Sequence, residues 1–199
     1  MNLDVNQHLV LENSRVRLEP LTQDHFEHLL PIALKHPDLL RYSPSKFGTA
    51  DALQTYLQTA FDSKAQANRY PFATYDKNLQ QYVGTTSYLN IMNYHRRVEI
   101  GYTWITKEVQ RTGLNRHCKY LMLQYGFDIL NFERIELKTD SRNWQSRNAM
   151  MGIGAKFEGE LRSHTLMSDG FRRNTVYYSI VKNEWQAIKD SIFKEIQYL

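Results

Sequence analysis

Cysteine is nearly absent from this sequence: the 199 residues include one, Cys118. A single cysteine cannot form an internal disulfide or a thiolate metal cluster, which agrees with a reducing compartment. Long apolar runs are also absent, because no stretch approaches the roughly 18 consecutive apolar residues that a membrane-spanning helix needs. The first residues, MNLDVNQHLVLENS, lack a basic start followed by an apolar run. We therefore expect a cytoplasmic protein with no membrane partner.

The sequence also lacks long blocks of one charge, repeats and flexible linkers. Its 25 basic and 21 acidic residues give a net charge of +4, and 42% of the residues are hydrophobic. This composition predicts a single globular domain over residues 1–199. The order of elements along the chain gives this domain a core at about 15–185 and a C-terminal amphipathic helix at about 184–197. The mild basicity suits an anionic ligand, nucleic acid or plain solvated surface. Because no RNA-binding or helix-turn-helix signature accompanies the aromatic residues, we expect no nucleic-acid partner.

Hydrophobic periodicity predicts alternating strands and helices along the whole chain. The predicted strands cover residues 15–19, 71–75, 82–90, 98–105, 135–139, 156–162 and 174–181. The predicted helices cover residues 24–34, 50–61, 114–130 and 146–153, with a last one from residue 184. The long helix should bury a stripe of Leu114, Cys118, Leu121, Tyr125 and Ile129, with Cys118 as a small buried hydrophobe.

The strand at 98–105 carries a carboxylate in a regular apolar pattern. Simple alternation predicts two opposite faces, one with Val98, Ile100, Tyr102 and Trp104, the other with Glu99, Gly101, Thr103 and Ile105. A glycine within a strand often marks the close approach of a ligand or another backbone. Glu99 therefore lies on the same face as a possible ligand contact at Gly101.

The segment Gln110-Arg111-Thr112-Gly113-Leu114-Asn115 joins this strand to the long helix. The first amide groups of a helix have no partner within the helix, and the helix dipole adds positive charge there, so phosphate oxygens bind well. Gly113 lets the backbone approach an anion. The alternative is an ordinary loop before a helix, which the six residues alone do not exclude.

Further segments in the second half show a family resemblance. They are Val98 to Trp104, Gln110 to Asn115, Arg134 to Asp140, Asn143 with Ser146 to Ala149, Gly154 to Gly159, Leu161-Arg162 and Asp169-Gly170. Together these segments resemble the GNAT superfamily of N-acetyltransferases, and within it the RimJ/RimL branch. The resemblance runs from about Arg15 to Trp185, although the N-terminal half matches in the order of its elements rather than in motifs. One departure is His117, which stands where the branch usually carries a glutamate.

This resemblance implies the fold and the cofactor. We expect an α+β fold with a mixed, largely antiparallel sheet of about seven strands, helices on both faces, and a V-shaped splay between the fourth and fifth strands. The co-substrate is expected to be acetyl-CoA, without a metal. The residues implied in cofactor binding are Trp104, Ile105, Gln110, Arg111, Thr112, Gly113, Leu114, Asn115, Arg116, Asn143, Ser146 and Arg147.

Two residues are candidates for catalysis. Glu99 could act as the base that takes the proton of the attacking amine, directly or through water. The alternative is a structural carboxylate paired with Arg96 or Arg97. Ser146 could donate a hydrogen bond or proton to the leaving thiolate, or it could simply be the N-cap of a short helix. His25 and His28 share a helix face but have no recognisable metal-ligand partner, so surface or capping roles are expected.

The predicted reaction is acetyl transfer from acetyl-CoA to a primary amine by direct attack in a ternary complex. The acceptor could be the N-terminal α-amine of a protein, such as a ribosomal protein, or a small amine such as an antibiotic or polyamine. A different class of function also stays open: a CoA-binding or RNA-binding module without catalysis. The sequence allows a monomer or a homodimer.

Overall fold

Eight strands and five helices make up the computed structural model, which describes residues 2–196. The strands are β1 (Leu11–Glu12), β2 (Val16–Pro20), β3 (Arg69–Asp76), β4 (Gln81–Met92), β5 (Arg97–Ile105), β6 (Arg134–Asp140), β7 (Lys156–Leu166) and β8 (Arg172–Val181). The helices are α1 (Phe26–Lys35), α2 (Ala50–Ala65), α3 (Leu114–Gln124), α4 (Trp144–Met151) and α5 (Lys182–Ser191).

All eight strands belong to one sheet, in the order β1-β2-β3-β4-β5-β6-β8-β7. Every pair of neighbours is antiparallel except β5 and β6, which run parallel. The predicted α+β fold with a mixed, largely antiparallel sheet is therefore confirmed. The extra strand is β1, whose two residues are too few to show an alternating pattern in the sequence.

Two apolar layers cover the sheet, one on each face. Helices α3 and α5 lie over the larger core, which contains Val98, Ile100 and Tyr178 from the strands. Helices α1 and α2 lie over the smaller core with Leu53 and Tyr56. A sheet with helices on both faces hides its apolar side chains from water, which is the main favourable term in folding.

An irregularity in β5 corrects the predicted alternation of this strand. The register with β4 shifts between Thr85 and Ser87, so that Tyr102 and Thr103 both lie opposite Thr86. This is a β-bulge, and Tyr102 adopts a positive φ of 47° within it. Because the extra residue reverses the two faces, Trp104 packs in the α1–α2 core, and Ile105 packs in the α3–α5 core with Val98 and Ile100.

The helix following Gly113 differs from its prediction at its C-terminal end. After Gln124 the chain makes one wider π-helical turn over residues 125–129, with the Leu130 N–H donating to the Tyr125 carbonyl. The wider turn rotates the following residues away from the buried stripe. Ile129, predicted to be buried, is consequently exposed, whereas Leu114, Cys118 and Leu121 are buried as predicted.

The last helix is shorter than its predicted range of about 184–197. Helix α5 begins at Lys182 and ends at Ser191, and turns follow over residues 192–196. Phe193 and Ile196 of these turns belong to the larger core. Residue 197 lies outside the described part of the chain. Within residues 2–196, no helix combines the length and apolar character needed to cross a bilayer.

Candidate functional site

The central feature is an opening between β5 and β6. These strands pair only at Arg97–Arg134, Val98–Ile135 and Glu99–Glu136, although β5 continues to Ile105 and β6 to Asp140. Beyond Glu99, the edges of the two strands that face each other have no strand partner among residues 2–196. Peptide groups on such edges can accept an extended ligand as an additional strand. The predicted V-shaped splay is therefore present, at the predicted pair of strands.

The segment between β5 and α3 presents unpaired backbone donors. Among the described residues, no protein acceptor takes the backbone N–H groups of Arg111 to Asn115. Arg111 and Gly113 have positive φ values of 64° and 89°, and a side chain built at Gly113 would meet no atom within 4 Å. Successive amides in such a turn, at the start of a helix, form a concave site for an anion. The segment predicted to bind phosphate thus has unpaired backbone donors, and phosphate binding there stays a prediction.

Several predicted cofactor-binding side chains contact other parts of the protein. The Arg116 guanidinium donates to the Ile192 carbonyl, and Arg147 donates to the Tyr178 hydroxyl at 3.1 Å and to the Ser141 carbonyl at 2.9 Å. The Gln110 amide donates to the Ile105 carbonyl at 3.1 Å and accepts from Gln145 at 2.9 Å. These contacts hold the loop and α4 in place. Direct cofactor contacts by the three side chains stay a prediction.

The start of α4 distinguishes the two candidate roles of Ser146. The N-cap is Asn143, whose Oδ1 accepts from the Ser146 backbone N–H at 3.1 Å. Helix α4 therefore begins at Trp144, two residues earlier than predicted, and Ser146 lies in its first turn. The Ser146 hydroxyl makes no hydrogen bond to a described residue, so it is available to a ligand.

Glu99 is buried on the sheet face that carries Gly101, with only 2% of its surface exposed. Its Oε2 lies 3.0 Å from the Lys138 ammonium and accepts from the Asn90 amide at 2.8 Å. Its Oε1 makes no hydrogen bond to a described residue. Burial raises the pKa of Glu99, and the charge of Lys138 opposes this shift. Arg96 and Arg97, the alternative partners in the sequence analysis, pair with Glu133 and Glu136 instead.

The bulge beside Glu99 is supported by polar side chains from β3, β4 and α2. The Tyr102 carbonyl accepts from Thr85 at 3.2 Å and from Tyr56 at 3.3 Å. The Arg69 guanidinium lies 3.8 Å from the centre of the Tyr102 ring. A non-glycine residue at positive φ persists where its surroundings over-determine it, often at functional sites.

The face of the sheet that carries Glu99 also carries three cationic residues that were not selected from the sequence: Arg69 on β3, Lys138 on β6 and Arg173 on β8. Lys138 lies in a predicted strand between the buried Leu137 and Thr139, whereas Arg69 and Arg173 precede predicted strands by two residues and one residue. Isolated basic residues in or beside strands are common, and only the sheet order places these three on one face.

The cysteine and two of the histidines discussed above make contacts within the fold. Burial raises the pKa of the Cys118 thiol to about 12, which leaves it protonated and unreactive. His117 contacts the Asn13 amide at 3.0 Å. His25 contacts Thr22 at the start of the helical segment, which fits the expected capping role. Within residues 2–196, no group of three or more His, Cys, Asp or Glu side chains is arranged to hold a metal ion.

Comparison with known proteins identifies the family to which this geometry belongs. Residues 15–156, well over half of the chain, match the acetyltransferase (GNAT) domain. The chain belongs to the GNAT acetyltransferase family. This match includes β2 to β6, the phosphate loop and α4, so the splayed strands and the loop both lie within it.

Individual relatives agree with this family and with the predicted RimJ/RimL-like branch. The chain is 33% identical over 106 residues to YdaF of Bacillus subtilis (strain 168), a candidate ribosomal N-acetyltransferase; the match covers 53% of this chain and 57% of YdaF. It is 24% identical over 157 residues to the spermidine N(1)-acetyltransferase of Escherichia coli (strain K12), covering 74% and 83% of the two chains. A GCN5-related N-acetyltransferase structure from Brucella melitensis has a TM-score of 0.87 and 26% identity, covering 96% of this chain and 86% of that one.

Proposed function

We propose that this protein transfers the acetyl group of acetyl-CoA to a primary amine, by direct attack of the amine within a ternary complex. The observation that carries the proposal is the position of the unpaired amides of Arg111 to Asn115 next to the open strands β5 and β6. GNAT domains use acetyl-CoA as their co-substrate. Amides that hold a diphosphate beside an opening that accepts an extended arm fit this molecule.

The residues around the opening fit the cofactor in two further respects. Gly113 leaves free space at the start of α3, so phosphate oxygens can approach the backbone closely. Asn115 has a buried Oδ1 that lacks a hydrogen-bond partner among the described residues, which leaves it an acceptor for a ligand donor. Bound acetyl-CoA supplies the activated acetyl thioester, and the chain supplies the groups that orient the amine and move its proton.

Glu99 is our candidate for the base. An alkylammonium must lose a proton before it can attack, and Glu99 Oε1 is unpaired while Oε2 is held by Lys138 and Asn90. A water between Oε1 and the amine suits a carboxylate that is fixed and largely buried. The peptide N–H groups at the end of β5 are candidate donors to the oxyanion, and the Ser146 hydroxyl is a candidate donor to the thiolate.

The names of two relatives indicate acceptor classes: YdaF is named as a ribosomal N-acetyltransferase, and another relative as a spermidine N(1)-acetyltransferase. We propose a protein or peptide α-amine as the first candidate and a small amine as the second.

The test is a transfer assay with pure protein, acetyl-CoA and a panel of peptides, amino acids, aminoglycosides and polyamines. Release of free CoA thiol together with the mass of an acetylated product supports the function. Calorimetric binding of CoA without turnover on any amine supports a non-catalytic CoA-binding module instead. If the protein neither binds CoA nor acetylates any amine, the assignment of the site is wrong.

A further inference from the structure

Two arginines beside the opening are buried without a carboxylate partner. Arg69 has 2% of its surface exposed and Arg173 has 8%. Among residues 2–196, neither guanidinium lies within ion-pair distance of an Asp or Glu side chain. Buried charges are normally paired, because an unpaired one loses its hydration without compensation.

The sheet register directs these charges to the side of the opening that carries Glu99. On β8, Val176, Tyr178 and Ile180 point into the α3–α5 core, so alternation places Arg173 and Tyr177 on the opposite face. On β6, Leu137 points into the same core, and Lys138 and Asp140 point with Arg173. Glu99, Lys138 and Arg173 therefore share one face of the sheet.

The acidic groups on that face are already neutralised. Lys138 pairs with Glu99 at 3.0 Å, and Arg142 pairs with Asp140 at 2.7 Å. Arg69 and Arg173 remain as an excess of positive charge. A pocket of this charge repels a polycation and attracts an anion.

The hydrogen bonds of the two arginines distinguish their roles. Arg69 donates to the Ser87 hydroxyl at 2.9 Å and to the Tyr56 hydroxyl at 3.4 Å, and it stacks on Tyr102, so it has neutral partners. Arg173 donates through Nη1 to the Tyr42 carbonyl, whereas its Nε is buried and has no partner among the described residues. A buried guanidinium donor without an acceptor is rare in native structures. Arg173 thus has an unused donor on the face of the sheet that carries Glu99.

We propose that the acceptor amine carries a carboxylate and that Arg173 binds this carboxylate while the amine lies near Glu99. The inference depends on the proposed acetyl transfer and names its substrate class. Arginine binds carboxylates through charge-assisted hydrogen bonds, with Arg69 adding positive potential. The carboxylate could be the α-carboxylate of a free amino acid or an acidic side chain near the N-terminus of a peptide. Arg173 is a specificity-determining residue in both cases.

Matched acceptors test the proposal on the wild-type enzyme. One arm compares free amino acids with their C-terminal amides, and the other compares peptides that differ by Asp or Asn at the second position. We expect the carboxylate member of at least one arm to have kcat/KM higher by about tenfold or more, as for a buried charge-assisted contact. The α-amine of an amino-acid amide is less basic than that of the free amino acid, so a larger fraction of it is deprotonated and able to attack. Amine basicity alone therefore favours the amide and cannot produce the expected preference for the carboxylate. The arm that shows the preference identifies the source of the carboxylate.

Variants then assign the preference to one residue. Arg173→Gln should reduce the preference to near unity, mainly through a higher KM for the carboxylate acceptor. Arg172→Gln, a change at the exposed neighbouring arginine on β8, should keep the full preference. If Arg173→Gln does not fold, Arg173→Lys keeps the charge and should retain a weakened preference.

The outcomes separate this proposal from the proposed function. Acetylation of neutral and carboxylate acceptors with equal kcat/KM overturns the proposal and leaves the acetyl transfer intact. An unchanged preference in Arg173→Gln likewise overturns it. Absence of transfer to every amine contradicts the proposed function, and the substrate class fails with it.

Discussion

The ammonium of Lys138 lies 3.0 Å from the Oε2 of Glu99, where β5 and β6 stop pairing. Burial raises the pKa of Glu99, whereas the lysine charge stabilises the carboxylate form. Burial also disfavours the charge on Lys138, but Glu99 outweighs this effect and raises the lysine pKa. The ion pair thus favours the carboxylate form of Glu99, with Oε1 unpaired, at a buried position where an isolated carboxyl would be protonated more easily.

Replacing Glu99 tests its role as the base. The base acts as the carboxylate, so the rate should fall on the acid side as pH drops through its raised pKa. In Glu99→Gln we expect kcat to drop by about 100-fold or more and this acid limb to disappear, in line with the usual contribution of general-base catalysis. The measurement is the pH dependence of kcat/KM, with CoA affinity measured alongside. An unchanged rate with the same acid limb would make Glu99 a structural residue.

Removing Lys138 should shift the same limb. Lys138→Met eliminates the charge that opposes the effect of burial on Glu99, so the pKa of the Glu99 carboxyl should rise further. The acid limb of the pH profile should then move to higher pH by about one unit, as expected for loss of a close ion pair. Lys156→Met is the matched control, because Lys156 pairs with Glu184 at the surface. A limb that stays in place in Lys138→Met, or moves equally in the control, contradicts the pairing.

Gly113 should be required for cofactor binding rather than for folding. A valine at φ 89° is strained and fills the space in front of the amides. Gly113→Val should therefore weaken CoA binding by about tenfold or more, which corresponds to the loss of one or more charge-assisted contacts. Gly170→Val is the control, since Gly170 has a φ of 84° and equally open surroundings at a turn between β7 and β8. Equal CoA affinity in both variants, measured by calorimetry, would remove the loop from the site.

Lys119 on α3 should make stability depend on pH. Its side chain is buried and donates to the Thr103 hydroxyl at 2.7 Å, and burial lowers its pKa from 10.5 to about 8. The unfolded chain therefore holds the proton between about pH 8 and 10.5 while the folded protein has lost it, so the free energy of unfolding should rise with pH across this window. The linkage corresponds to about 3 kcal/mol.

Lys119→Met should remove this rise, and the exposed Lys46→Met should keep it. Urea unfolding at several pH values gives the difference between the two variants. Parallel stability curves for wild type and Lys119→Met between pH 8 and 10 would show that the lysine titrates normally in the folded protein.

The sequence predicted the fold and the backbone of the site better than its side-chain contacts. The alternating strands and the splay were confirmed, because they follow from periodicity and from family motifs in order along the chain. Phosphate binding at Gln110 to Asn115 stays a prediction. The bulge at Tyr102 was missed, since a single extra residue leaves no periodic signal and depends on hydrogen bonds from Tyr56 and Thr85. Arg173 was also missed, because its place on the same face of the sheet as Glu99 results from the sheet order.

The most direct test of the central claim is a titration of the ¹⁵N-labelled protein with CoA, followed by NMR of the backbone amides. If the loop binds the diphosphate and the opening accepts the rest of the molecule, the largest shifts will occur at Arg111 to Asn115 and along the unpaired parts of β5 and β6. Gly113→Val should reduce these shifts at equal, sub-saturating CoA concentration. Saturable binding with shifts confined to other surfaces, or no shifts at all, would contradict the account.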